Sequence, residues 1–558
     1  MHKNLFSPSY TYYMVSGTHY SLLKASQNME LKRNISKTSL LFLSIGSIIG
    51  SGWLFGSFYT AQTAEPAAIL SWIIGGFCVG IIALTFAELS TMLPLSGGST
   101  AFVTLSHGKM TGAIFAWITW LWTMVIAPIE VQAILQYASN YIPNLTEKIN
   151  NNQVLTDKGL LFAALLLGIM SFINIVGVKI MTETTKLVVV WKLIVPLSVA
   201  ILLLTTQIHP SNLTSSEFAP FGFTGVLSSI AIGGVSFSFF GFQTAIFVAG
   251  EAKNPQKSIP IALFGSIAAC MLLYTLLQLG FILAIDPSAV AAGWDKIQFS
   301  GDSGPFAGIF LALGLGFMVK VLYVDAFISP LGTAVGYVAA SSRILYSISL
   351  QNDAPKAFAK VNRFSIPWLA IIANYIIGLL LFLPFSGWQS MIAFLSSAIV
   401  LTLACGPLCL PIFRKNFASI ERPFKLPFYN LISLFAFYIC NLMLLWTGWN
   451  TLWKLIFAVF LGVIVFSFTH IFNKNNKNEI LHLKSFIWLA VYLVFSGIIS
   501  YLSTFGGGIG IISMELSFLV VAINSIIIFI LSNKTSLNKS ESNKIYNKLM
   551  QKHTKSKN

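Results

Sequence analysis

Ser44-Ile45-Gly46-Ser47-Ile48-Ile49-Gly50-Ser51-Gly52-Trp53 lies midway through the first long apolar run of the chain and opens with three Gly and three Ser in nine residues. Gly lacks the Cβ that enforces helical torsions, and Ser competes for backbone hydrogen bonds. The run is therefore expected to be a membrane-spanning helix that unwinds near Gly50 to Gly52. In lipid, irregular backbone is tolerated only where it is buried in protein or lines a cavity, so a break at mid-depth points to a site. Close packing is the other reading, because Gly46 and Gly50, like Gly52 and Gly56, have the spacing that lets two spanning helices touch.

A second interruption shifts the balance toward a site. Gly233-Gly234, followed by Phe237-Ser238-Phe239-Phe240-Gly241-Phe242-Gln243, falls in the sixth apolar run, five runs after the first. Paired interrupted spans in corresponding halves of a chain point to a transporter's midplane site. At such a break one half-helix offers free N–H groups and a positive pole to an anion, while exposed carbonyls opposite can hold a cation. A zwitterion fits both.

The remainder of the sequence agrees with a lipid environment. Of 558 residues, 56% are hydrophobic and 9% charged, with a mean hydropathy of +0.78, which excludes a fold built for water. Five Cys and seven His are too few for a disulfide-stapled ectodomain or a multi-metal scaffold. The net charge of +16 is scattered between apolar runs rather than gathered into a patch, so it reads as topology and not as a nucleic-acid surface.

A hydrocarbon core of about 30 Å needs about 20 apolar helical residues. Runs of that kind fall near 40–62, 67–92, 111–141, 159–177, 186–206, 224–250, 259–284, 306–338, 366–384, 389–413, 428–447, 451–472, 485–504 and 509–532, about fourteen in all. With the N-terminus inside, 28 of the 34 Lys and Arg are cytoplasmic, four are outside (Lys148, Lys158, Lys296, Lys454) and two lie within spans (Lys192, Lys320). Basic residues in short loops stay cytoplasmic, so both termini are expected inside the cell membrane. Residues 1–38 are expected to be a cytoplasmic lead-in without a signal peptide, and Met29, followed by Glu30-Leu31-Lys32-Arg33, is a candidate start of translation. Residues 533–558, rich in Lys, Asn and Ser, are expected to be a disordered basic tail near anionic lipid head groups.

The Gly46 to Gly52 stretch resembles the first-span signature of the amino acid-polyamine-organocation (APC) superfamily. Three further segments agree in order. Glu88-Leu89 with Pro94-Leu95-Ser96-Gly97-Gly98 resembles the family's loop after span 2, Gly250-Glu251-Ala252-Lys253-Asn254-Pro255 its exit from span 6, and Ser342-Arg343 through Leu345-Tyr346 its exit from span 8. The likeness covers roughly residues 38–415, and Ser238 to Gln243 with Pro128-Ile129-Glu130 is most similar to bacterial branches that include aspartate-proton symporters. The resemblance implies an all-α leucine-transporter-type fold of two inverted five-span repeats, 39–206 and 224–413, followed by additional spans at 428–532.

It also implies a site. The N–H groups of Ser51 and Gly52, with the Gly50 backbone, would cradle a substrate carboxylate, and the carbonyls of Ile48, Phe237 and Phe240 would receive its ammonium. Phe237 and Phe240 read equally as an aromatic gate or as core packing. Gly241 belongs to the same break. Gln243 stands where the family's arginine-agmatine exchangers have an acidic residue, so a cationic substrate loses one partner.

Five ionisable residues fall inside spans: Glu88, Glu130, Lys192, Lys320 and Asp325. Burying a charge is costly, which makes each a functional candidate. Glu88, near the end of span 2, reads as a cap or gate contact. Lys192 sits where related sodium-independent transporters place a Lys in the space of a coupling sodium, so it is either a proton-coupling amine or a snorkelling side chain. Lys320 and Asp325 are five residues apart, about 140° around a helix, and are not expected to pair. Asp325 is expected either to meet Lys192 in a proton site beside span 1 or to form a structural ion pair, and Lys320 to face either an acidic substrate or a structural partner. Glu130 is open between coupling, substrate contact and a packing network.

An embedded enzyme would need a His or Asp cluster, a metal box or an activated nucleophile, and all seven His fall in loops, tails or span ends. Without a phosphate-binding loop, an ATP-driven pump is disfavoured, and no cofactor is expected. Polar residues concentrated at two breaks differ from the continuous lining of a channel. The reading is a secondary transporter that imports an amino acid by alternating access, with a proton favoured over sodium as the driving ion; exchange without net proton coupling is the alternative.

Overall fold

A computed structural model describes residues 35–94, 98–149, 152–176, 181–214, 218–297, 304–385, 387–472 and 480–555. The candidate start at Met29 and Leu95 to Gly97 of the loop motif lie outside them. The described chain is helical apart from one antiparallel hairpin, β1 (Thr146–Ile149) with β2 (Asn152–Leu155), Thr146 facing Leu155.

The helices that position the site are α1 (Lys37–Ile48), α2 (Gly52–Ala64), α3 (Ala68–Met92), α4 (Gly98–Ala138), α5 (Asp157–Val176), α6 (Met181–Thr205), α7 (Gly222–Ile232), α8 (Val235–Phe239), α9 (Thr244–Phe247) and α10 (Pro255–Ala284). Then follow α11 (Pro305–Ala312), α12 (Gly316–Leu350), α13 (Trp368–Leu381), α14 (Trp388–Leu403) and α15 (Cys405–Asn416). The chain continues through α16 (Tyr429–Trp446), α17 (Trp449–Phe472), α18 (Ile487–Leu502), α19 (Met514–Thr535) and α20 (Lys539–Lys555).

Among the described residues, 11 helical stretches are long and apolar enough to cross a membrane, and α1, α7 and α13 are shorter apolar helices. Two of those three are halves of the interrupted runs, which explains why a simple length criterion finds fewer spans than the fourteen apolar runs of the sequence. Lipid offers backbone groups no partners, so each stretch closes its hydrogen bonds within itself.

Two packed groups face each other across the breaks. In one, α10 lies along α1 and α3 while α2 packs on α7. Buried polar groups bind this group together: Trp72 Nε1 donates to Gln278 Oε1 at 2.8 Å, and Gln278 Nε2 donates to the Ser57 carbonyl at 3.1 Å. In the other, α4 runs along α12 and packs on α5, α13 and α14. The helix α6 touches both groups, and α16 to α19 pack around the outside of α3, α4 and α14.

One expectation is corrected. The tail is not wholly disordered: residues 539–555 form α20, and Ser542 and Leu549 are buried against the helix ends beneath it. Asn416 Nδ2 donates to the Leu537 carbonyl and to Ser542 Oγ, both at 2.9 Å, Leu537 N donates to the Ser106 carbonyl at 2.8 Å, and the Phe417 and Tyr546 rings lie 5.6 Å apart. Glu65 is buried in the turn between α2 and α3, with φ 52°.

Candidate functional site

The first break falls at Ile49 to Ser51. The helix α1 ends at Ile48, Ile49 is extended (φ −79°, ψ 99°), and α2 begins at Gly52 with Ser51 at its N-cap. The Ser51 side chain makes no capping bond, so the first N–H groups of α2 have no acceptor from their own helix. The sixth run is cut twice. Gly234, at φ 96°, separates α7 from α8, and an extended Phe240 with Gly241, at φ 138°, separates α8 from α9.

The breaks touch. A Cβ on Gly241 would run into the backbone of Ser47 and Ile48, and one on Gly52 would meet Ser238 Oγ and the Phe237 ring. Glycine at these two positions is thus what lets main chain approach main chain. The expected substrate-binding residues Ile48, Gly50, Ser51, Gly52, Phe237, Phe240, Gly241 and Gln243 therefore come together at one place. Several of their polar groups already have partners. The Ile48 carbonyl accepts from Tyr274 Oη at 3.4 Å, the Phe237 carbonyl from Phe240 N at 3.1 Å, and Gln243 Oε1 accepts from Gly241 N at 2.8 Å.

Trp388, the first residue of α14, closes over this point. Its Nε1 donates to Ser51 Oγ at 3.3 Å, and its ring packs on Phe55, Tyr59 and Phe237 with centroids 5.0, 5.5 and 5.9 Å away. Neither Trp388 nor Tyr274 stands out in the sequence, because their contacts to the first break come from helices more than 200 residues distant.

The charged candidates separate into two sets. Glu130 on α4 is 1% exposed and lies against the first break: a Cβ on Gly50 would be 3.1 Å from its Oε1, and the carboxylate faces the N–H and hydroxyl of Ser51. Its Oε2 has no hydrogen-bond partner among the described residues. Lys192 on α6 is 5% exposed and donates to Thr333 Oγ1 on α12 at 2.7 Å. Asp325 on α12 accepts from Trp191 Nε1 at 2.8 Å and Ser329 Oγ at 2.6 Å. The expected Lys192–Asp325 ion pair is not formed: the Lys192 amine is turned to Thr333, and Asp325 Oδ1 takes the neighbouring indole and hydroxyl. The two charges remain within electrostatic reach of each other and of Glu130.

Lys320 is exposed in the first turns of α12 and is not brought to the breaks. Glu88 is buried at the far end of α3 in a satisfied ion cluster: Arg414 Nε and Nη2 donate to its two oxygens at 2.6 and 2.7 Å, Arg422 Nε lies 3.4 Å away, and Leu426 N donates at 2.8 Å. Such a fork-and-carboxylate arrangement ties α3 to α15 and the loop that follows it.

The sequence profile of the amino acid permease family matches residues 39–451, the portion that holds both breaks. The chain is 34% identical over 512 residues to the glutamate/serine transporter AimA of Bacillus subtilis, covering 91% of this chain and 94% of that one. It is 32% identical over 519 residues to the aspartate-proton symporter of the same organism, covering 92% and 99%. The aromatic amino acid transport protein AroP of Escherichia coli K12 is 26% identical over 429 residues, 74% of this chain and 88% of that one. These relatives are transporters and not enzymes. The broken first helix and the permease match meet on the same residues, and the chain is a multi-pass membrane protein of the amino acid permease family, within the APC superfamily.

Proposed function

We propose that this permease is a proton-coupled secondary transporter that imports a small acidic or polar amino acid, gripping its carboxylate at the N-terminus of α2 and its ammonium at the carbonyls of α1 and α8. The observation that carries this reading is the apposition of two broken helices, with Gly241 seated on the Ser47–Ile48 backbone. In this reading α1 with α2 counts as one span and α7 to α9 as another. The chain then has fourteen spans: an inverted pair of five-span repeats, 39–206 and 224–413, and four peripheral spans at 428–532, with both termini in the cytoplasm and basic loops against anionic lipid. Alternating access follows from rocking the group of α1, α2, α3, α7, α8 and α10 against the group of α4, α5, α12 and α13. Proton coupling is supported by the buried charges Glu130, Lys192 and Asp325 beside the first break, and by the name of one relative, a proton symporter.

The test is uptake into proteoliposomes, with labelled glutamate, aspartate and serine supplied outside and the lumen made alkaline. Accumulation of unmodified substrate above the external concentration, collapsing when the pH gradient is dissipated, supports the reading. Counterflow without pH-driven accumulation would assign an exchanger instead. Neither activity with any amino acid, in protein that melts cooperatively, overturns it.

A further inference from the structure

We propose that Glu130 is an internal stand-in for the substrate carboxylate: its side chain occupies the N-terminal pole of α2 in the empty carrier and yields that place only when it takes up a proton. This inference rests on the proposed site and specifies how a proton is tied to it.

Three observations carry it. The N-terminus of α2, a thirteen-residue helix, has no side-chain cap of its own. Glu130, from a different helix, is 1% exposed and aims its carboxylate at that pole, with Oε1 against Gly50 and facing the Ser51 N–H and hydroxyl. Its Oε2 is buried without a partner, which a permanently ionised structural carboxylate would not leave so. By contrast, Glu88 has both oxygens bonded. Glu130 is therefore an anion placed where the substrate's anion must go.

The chemistry follows from crowding. Two carboxylates at one helix N-terminus repel in a buried site, and the usual resolution is that one is neutral. The titratable or charged side chains that face Glu130 are Lys192 from α6 and Asp325 and Tyr337 from α12. Lys192 gives its hydrogen bond to Thr333, and no ion pair within 4 Å joins it to Glu130 among the described residues. Lys192 thus leaves the Glu130 carboxylate free to exchange places with a ligand. Proton and zwitterion then enter together, one for one: the proton moves from water to the Glu130 oxygen, and the Ser51 N–H and hydroxyl pass from Glu130 to the substrate carboxylate.

The test uses the full-length protein in detergent. In wild type, the dissociation constant for glutamate, aspartate or serine should weaken as pH rises from 5.5 to 8, approaching tenfold per pH unit in the upper part of that range. Calorimetry in two buffers of different ionisation enthalpy should report close to one proton taken up per amino acid bound. Glu130→Gln should bind with nearly constant affinity across the same range and take up no proton. It should still catalyse counterflow while losing pH-driven accumulation. The inference is overturned by a pH slope that survives in Glu130→Gln, or by wild-type binding with no proton uptake, a measurement that does not depend on the variant folding. A folded Glu130→Gln that loses binding at every pH would instead make Glu130 an ammonium ligand and would also overturn it. Amino acid binding in any of these cases leaves the proposed site standing, whereas no binding by wild type removes both.

Discussion

At the scale of single residues, Gly241 shows how tightly the two breaks depend on each other. An alanine there must adopt φ 138° and press its methyl into the Ser47–Ile48 backbone, which cannot swing aside as a side chain would. The torsion costs about 1–3 kcal/mol, and overpacking a filled core adds about 1–3 kcal/mol. Gly241→Ala is expected to lose uptake and to lower the thermal midpoint, whereas Gly316→Ala, with open space around its Cβ, should leave both nearly unchanged. Lys192 is tested differently. Its amine is held by Thr333 beside Asp325 and Glu130, and Gln can keep a hydrogen bond without the charge. Because Lys192 is the cation facing Glu130, Lys192→Gln is expected to disturb proton exchange at that carboxylate and so abolish pH-driven accumulation while binding and counterflow persist; full accumulation in that variant would exclude the amine from coupling. These positions were readable in the sequence because glycines interrupting an apolar run, as from Gly233 to Gly241, and a Lys within one are anomalies wherever they stand. The approach of Trp388, Tyr274 and Glu130 to the breaks was not, since it depends on how distant helices pack.

At the scale of elements, the tail is the instructive failure. Lys, Asn and Ser dominate its composition, yet Ile545, Tyr546 and Leu549 recur at helical spacing and, with Leu537 ahead of them, give α20 one apolar stripe. Composition hid a periodic signal. Ending the chain after Thr535 removes the partners of Asn416, Ser106 and Phe417. It is expected to lower the thermal midpoint by a few degrees while transport per folded molecule survives, measured by scanning fluorimetry alongside uptake. A second element, the turn after α9, is strapped to the lead-in of α1: Ile35 N donates to the Glu251 carbonyl at 3.1 Å, and Lys253 N to the Ile35 carbonyl at 3.0 Å. Glu251 is buried there with Oε1 unpartnered, and burial pushes its carboxyl up to about 7. A folded-state value above the unfolded 4.5 means that this contribution to stability is full below 4.5 and is lost as pH rises through about 7. Glu251→Gln should therefore gain stability relative to wild type at pH 8 compared with pH 4.5, and parallel melting curves across that range would contradict the assignment.

At the scale of the whole molecule, the apolar runs and their two interruptions were legible because lipid imposes length and backbone closure on every span. What the sequence could not supply was the state of the carrier, and here the site is closed: Ser51, Phe237 and Phe240 are buried, and Trp388 lies over them. If the site opens by the rocking proposed above, the boundary between α1 and α6, which touches both groups, is one place where that movement can be tested. Gly46 is a point of close approach, where a Cβ would lie 3.5 Å from the Cβ of Val189 and against its two methyls. That separation is at the short edge of the range a disulfide spans, and replacing Val189 removes the methyls that crowd it. A Gly46→Cys, Val189→Cys double variant is therefore expected to form a bridge on mild oxidation. If transport works by rocking α1 away from α6, the oxidised protein should lose at least nine-tenths of its uptake and recover it on reduction, with each single variant insensitive to oxidant. Undiminished uptake in fully bridged protein, verified by mass after thiol blocking, would mean that α1 stays on α6 throughout the cycle and that the moving boundary lies elsewhere.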